Sequence, residues 1–172
     1  MIFRKFTRLP FDREYFMSLF SGFEGGLATT SAIAAGLLIT TSDVAIVLTT
    51  ASISFIVQAF NGAIGKFSSE HTNDEIDHQD ILHGYKKPVI NAALQFSAHI
   101  VMGVVVLLPV IYMNNSTAAM LTSIGITLTL LFLLGGYKGY IVGKDFPPDA
   151  MQQIGLGALV IVAGITAGLL LS

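Results

Sequence analysis

Apolar residues in this chain fall into five long, nearly unbroken runs separated by short polar breaks. The runs cover roughly 17–40, 44–67, 89–112, 117–137 and 150–171. Each has the length of about 20 predominantly apolar residues that a helix needs to cross the hydrocarbon core. Inside a bilayer the backbone has to satisfy its own hydrogen bonds, so runs of this kind predict helices. The expected fold is therefore an all-α integral membrane protein with five transmembrane helices, a single domain over residues 1–172. Five crossings put the termini on opposite sides.

The breaks are Thr41-Ser42-Asp43, a polar segment over 68–87, the turn Asn114-Asn115-Ser116-Thr117, and 138–149, where Pro147-Pro148 reads as a stop between two spans. None is long enough for a second domain. Arg4, Lys5, Arg8 and Arg13 precede the first run, Lys66, Lys86 and Lys87 flank the second break, and Lys138 and Lys144 lie in the last. All nine basic residues thus fall on one side, and Lys and Arg accumulate on the cytoplasmic side of short loops. The N-terminus is expected in the cytosol and the C-terminus outside. Residues 1–16 mix these bases with Phe3, Phe6, Leu9, Phe11 and Phe16, the composition of an interfacial amphipathic segment. They carry no small-residue cleavage site of a signal peptide.

Composition supports the bilayer reading. Only 12% of the 172 residues are charged, against roughly a quarter in soluble domains, and the mean hydropathy is +0.72. The net charge of −2 adds little. Without cysteine there is no disulfide, thiolate metal site or catalytic thiol. There is also no phosphate-binding Gly-rich loop, HExxH, nucleophile elbow or basic aromatic patch. The chain is read as neither an enzyme nor a nucleic-acid binder, and no ATP-driven pump is expected. Small residues crowd the first run (Gly22, Gly25, Gly26, Ala28, Ala32, Ala35, Gly36) and recur in the last at Gly157, Gly164 and Gly168. Gly22/Gly26 and Gly164/Gly168 are four apart, a spacing that permits close backbone approach within or between chains.

The segment Gly22-Phe23-Glu24-Gly25-Gly26-Leu27-Ala28-Thr29-Thr30-Ser31-Ala32-Ile33-Ala34-Ala35-Gly36-Leu37 resembles the first-helix signature of the vacuolar iron transporter family. Asn61-Gly62-Ala63-Ile64-Gly65 is similar to that family's Met-Gly-x-Gly-Gly stretch, and Phe132-Leu133-Leu134-Gly135 and the five-span layout extend the likeness over nearly the whole chain. The resemblance implies a homodimer exporting ferrous or manganous ion from the cytosol against protons, along a path beside the first two helices. It also implies the plasma membrane in a prokaryote or a vacuole-like organelle in a eukaryote. Aligned on Gly26-Leu27, the family's acidic position falls on Gly25, its proline on Thr30, its span-two methionine on Asn61 and its span-two glutamate near Ile53 or Ser54. The large cytosolic metal-binding domain of some members has no room in 68–87. The chain reads as a short, divergent member.

Several side chains fit a transport pathway. Glu24 is a carboxylate inside a span, which costs a few kcal/mol unless it is paired or functional. It is read as an ion ligand and proton acceptor, or else as an interfacial group paired with Lys66. Gln58 and Asn61 share one face of the second span, and their carbonyls suit a hard divalent ion or an interhelical hydrogen bond. His99, with Met102 three residues on, adds an imidazole and a thioether mid-span, although a lone intramembrane histidine more often hydrogen-bonds a neighbouring helix. The break after span two holds Glu70, His71, Asp74, Glu75, Asp77, His78, Asp80 and His83. Its carboxylate-x-x-histidine spacing is that of metal sites in helical bundles, against the plainer reading of a solvated acidic linker. The partners expected are a second copy through span one, lipid, protons and a transported iron or manganese ion, with no permanently bound cofactor. The alternative is a non-transporting scaffold or metal sensor that keeps the fold; a membrane-embedded enzyme has the least support.

The distribution of bases makes a topological prediction: a reporter fused after Ser172 should lie outside and one inserted at Asn73 inside. Protease protection of both tags on the same side would remove the five-span reading.

Overall fold

The computed structural model describes residues 13–76, 86–142 and 146–172. They form five helices: α1 (Arg13–Thr40), α2 (Val44–Ile76), α3 (Lys86–Tyr112), α4 (Ser116–Val142) and α5 (Phe146–Leu171). All five are long and apolar enough to cross a membrane, and no strand occurs among the described residues. The protein is an integral, multi-pass, all-α membrane protein.

Local chemistry sets the helix ends. Asp43 Oδ1 accepts from the backbone N–H of Ala45 at 2.9 Å and of Ile46 at 3.3 Å, so the three-residue polar break caps α2. Asn115 Oδ1 does the same for α4, accepting from Ala118 N–H at 3.0 Å. Residues 147–148 do not stop a helix as the sequence suggests; they lie in the first turn of α5. Proline is tolerated there because its missing N–H would have had no partner. The break read over 138–149 thus shrinks, with Lys138 inside α4 and Asp149 inside α5. Likewise, residues 68–76 of the acidic segment continue α2, and 13–16 of the expected interfacial segment belong to α1.

α1 is the hub. It packs against α3, α5, α2 and α4, while among the described residues the other main packing of α2 is on α3 and that of α5 is on α4. Half of its apolar window is buried, against 17% for α5. This position needs small residues. A methyl at Gly26 would stand 2.5 Å from the carbonyl oxygen of His99, and one at Gly22 would collide with the Gln95 carbonyl. Thr30 continues the same face, meeting Gly103 of α3. On another face, a methyl at Gly36 would stand 2.6 Å from the Gly164 carbonyl oxygen, and methyls at Gly164 and Gly168 would strike the carbonyls of Ala32 and Gly36. Both glycine pairs therefore make contacts within the chain. Of the two kinds of approach the spacing permits, within or between chains, Gly22 and Gly26 make the first, with α3.

Larger side chains fill what remains. Leu27, Val106 and Leu131 form a cluster between α1, α3 and α4. Ala34, Leu38, Val47, Phe55, Leu107 and Val110 contribute to a larger one nearer the ends of α1 and α3. At the end carrying the bases, Phe16 and Phe20 pack on Ile141, and Phe20 stacks on Tyr137 at 6.0 Å.

If Gly26 is a packing residue, Gly26→Leu should destabilise the isolated protomer by about 3 kcal/mol through overpacking. Gly125→Ala, which meets nothing within 4 Å, should stay within about 1 kcal/mol of wild type. Unfolding in mixed micelles measures both; equal stabilities would contradict the packing described.

Candidate functional site

Polar residues in the spans gather where α1, α2 and α3 meet and at the basic end of the bundle. Two stripes with a four-residue repeat face each other. α2 carries Gln58, Gly62, Lys66 and Glu70; α3 carries Asn91, Gln95, His99 and Gly103. Residues four apart lie nearly one above the other on a helix, and the two helices run antiparallel, so the stripes meet rung by rung. Asn91 Nδ2 donates to Glu70 Oε2 at 2.7 Å. The Gln95 amide nitrogen lies 3.0 Å from where a Cβ on Gly62 would be. Phe55 meets Gly103 at the far end.

The basic-end rung is a tie. Asn91 is fully buried, and Glu70, bonded to it, also accepts from Lys66 Nζ at 2.8 Å. Glu70 thus engages one oxygen across to α3 and the other within α2, and Lys66 is occupied one turn from Glu70 rather than with Glu24. Nearby, Lys87 at the start of α3 pairs with Glu14 of α1 at 2.7 Å.

Glu24 turns the other way. Its Oε1 accepts from Lys138 Nζ of α4 at 3.5 Å, with the side chains 24% and 34% exposed. At that length and exposure the pair contributes little to stability. What it provides is a positive counter-charge to the sole carboxylate well inside a span. The pairing with Lys66 considered from sequence is replaced by one with Lys138, because residues 138–142 extend α4 as helix.

His99 is buried, 6% exposed, and its ring lies over Gly25: a methyl there would stand 3.1 Å from Nδ1 and 3.4 Å from Cε1. Its Nε2 has no hydrogen-bond partner among the described residues, nor has the hydroxyl of Thr30. The Gly25 carbonyl is engaged by Thr29 Oγ1 at 2.6 Å. Met102 does not share the His99 environment. It packs on the Leu27, Val106 and Leu131 cluster, since a three-residue step turns it toward α4. Gln58 is half-buried and Asn61 exposed on α2.

Of the acidic segment, Glu70 and His71 are described, with the His71 ring stacked on Phe67 at 5.8 Å. The Asp74 and Glu75 side chains, and Asp77, His78, Asp80 and His83, lie outside the described residues. Among the described residues no three histidine, aspartate or glutamate side chains converge on one point. Sequence reasoning missed Asn91, Gln95 and Lys138. The signal for the first two was present, because Asn91, Gln95 and His99 are three polar residues at four-residue spacing in an otherwise apolar run. No comparable local signal marks Lys138.

Two comparisons bear on this arrangement. The sequence matches the VIT family over residues 71–169. It is also 34% identical over 85 residues to the protein named vacuolar iron transporter 1 from Oryza sativa subsp. japonica; the aligned part covers 46% of this chain and 34% of the rice protein.

The two ion-paired glutamates should differ in energetic weight. Asn91→Ala removes a buried donor to a carboxylate and should cost about 2 kcal/mol, whereas Lys138→Met should cost below about 1 kcal/mol. A double-mutant cycle on Asn91 and Glu70 checks the first; additive effects would mean the rung is not a tie.

Proposed function

Because the chain belongs to the VIT family, which matches it over more than half its length, we propose that it carries ferrous or manganous ion out of the cytosol in exchange for protons, as a homodimer. The observation that carries the reading is the placement of Glu24, a half-buried carboxylate within an apolar helix, held by a single long contact to Lys138. Lysine is a flexible cation that can withdraw to the headgroups while its stem stays among apolar groups. With Lys138 withdrawn, Glu24 offers a negative oxygen to an entering divalent ion. A proton then takes the ion's place, and Lys138 returns when the proton leaves. Glu24 thus exchanges three cations, which couples the two fluxes.

The second copy sits on the side of α1 between α2 and α5. There Met17 and Ser21 are exposed and Gly25, Ala28 and Thr29 half-exposed, so small groups permit close approach. This keeps the dimer on span one while moving it off the face filled by α3. Gln58 and Asn61 line the approach on α2. The acidic segment from His71 to His83 captures the ion loosely on the cytosolic side; its Glu70 is excepted because it is already engaged.

Proteoliposomes under a pH gradient test the reading. Wild type should move Mn²⁺ or Fe²⁺ and acidify or alkalinise the lumen in step. Glu24→Gln should abolish the coupled flux while leaving fold and assembly intact, and Asn61→Ala should weaken it by less than about tenfold. Wild-type flux in Glu24→Gln would remove the carboxylate from the pathway, and a wild type that moves no ion would leave the scaffold or sensor reading standing.

A further inference from the structure

At one rung of the α2–α3 seam the facing polar side chains make no hydrogen bond among the described residues. Counting along the antiparallel stripes from Gly62 opposite Gln95, the next pair toward the far end sets Gln58 level with His99. Asn91 Nδ2 donates to Glu70, with the Asn91 Oδ1 left without a partner among the described residues, and Phe55 packs on Gly103, whereas among the described residues the side chains of Gln58, Gln95 and His99 make no hydrogen bond at all. On the α1 side the rung meets Gly25, which brings no side chain and leaves the imidazole its space. An unpaired polar atom in so buried a residue costs about 1–3 kcal/mol, and the cost recurs at Thr30, one turn beyond Gly26.

We propose that His99, with the side-chain oxygens of Gln58 and Gln95, forms a binding site for a first-row divalent cation between α1, α2 and α3, and that His99 selects such ions over Mg²⁺. The metal binding is independent of the transport reading; the role in selectivity during flux rests on it. A neutral imidazole is a good ligand for first-row transition ions. Mg²⁺ instead demands an oxygen octahedron and gives up its water reluctantly. One nitrogen and two amide oxygens leave the remaining positions to water, so the ion is held loosely enough to depart. Glu24, next to Gly25 in the chain but turned toward Lys138, adds negative potential without being a required ligand. Met102, packed in the apolar cluster, takes no part.

The chain has four histidines, which makes a direct test available. Full-length protein without a histidine tag, with His71, His78 and His83 all changed to alanine, retains His99 as its sole imidazole. In nanodiscs with Mn²⁺ it should show ¹⁴N modulation of the electron spin echo. His99→Gln in that background should lose the modulation and weaken Mn²⁺ binding about tenfold or more, with Mg²⁺ binding unchanged. Gln95→Ala should keep the modulation and weaken Mn²⁺ binding roughly three- to tenfold. Should His99→Gln fail to fold, Gly25→Ala serves instead: it retains the imidazole, presses a methyl against it, and should alter the ¹⁴N coupling and weaken Mn²⁺ binding. No modulation in the His99-only protein, or Mn²⁺ binding indifferent to both His99→Gln and Gly25→Ala, overturns the site. Flux separates the two readings. A parent that binds Mn²⁺ through nitrogen yet moves none overturns transport and keeps the site. Flux whose preference for Mn²⁺ over Mg²⁺ survives His99→Gln overturns the selecting role of His99 and keeps transport.

Discussion

The contact between the backbones of α1 and α3 at Gly22 and Gly26 sets the rest of the bundle. α1 has to touch four helices at once, and it can do so only if two of its faces carry almost no side chain. Gly22, Gly26 and Thr30 supply one for α3; Ala32 and Gly36 supply the other for α5, answered there by Gly164 and Gly168. In a bilayer the lipid tails are as apolar as the side chains they would replace, so helix association depends on close packing rather than on the hydrophobic effect. With α1 fixed against α3, the α2 stripe falls in register with the α3 stripe, and α4 comes close enough for Lys138 to reach Glu24.

That register turns a set of polar residues into a graded seam. At the basic end Glu70 is neutralised by Lys66 and bonded by the buried Asn91. This rung is costly to break because the fully buried Asn91 would lose the bond its amide nitrogen makes. Toward the far end the seam becomes the apolar contact of Phe55 with Gly103. Between these extremes lie Gln58, Gln95 and His99, polar but uncommitted. A structural polar network is expected to be satisfied throughout; one that is hydrogen-bonded at its end and makes no side-chain hydrogen bond in its middle has room for a guest.

The charges are arranged with similar economy. Glu14, Glu24 and Glu70 each face a lysine from elsewhere in the sequence or one turn away, at Lys87, Lys138 and Lys66. The two shorter contacts lie toward the basic end of the bundle, Glu14 with Lys87 joining α1 to α3 and Glu70 with Lys66 within α2. The longest, at 3.5 Å, is the one deepest in α1. A carboxylate that is compensated but weakly held is suited to exchanging one cation for another.

By itself the sequence determined the helical class, the number of spans and about half of their ends. These depend on run length and on local capping at Asp43 and Asn115, which neighbouring residues fix. It also determined that α1 would pack closely, because glycine at four-residue spacing has few other uses. It did not determine against what. Gly22/Gly26 reads equally well as a seam between copies and as a seat for α3, and only the three-dimensional arrangement separates them. The role of 147–148 was misread because proline ends a helix in its interior but begins one at its first turn, a distinction that depends on where the helix starts. Glu24 was legible as an anomaly, but its partner was not, since Lys138 lies 114 residues away. His99 was legible as a lone imidazole. Its pairing in level with Gln58, above Gln95 and over Gly25, was decided by the tertiary structure, because register between helices is set by the small-residue contacts and not by any property of the rung itself.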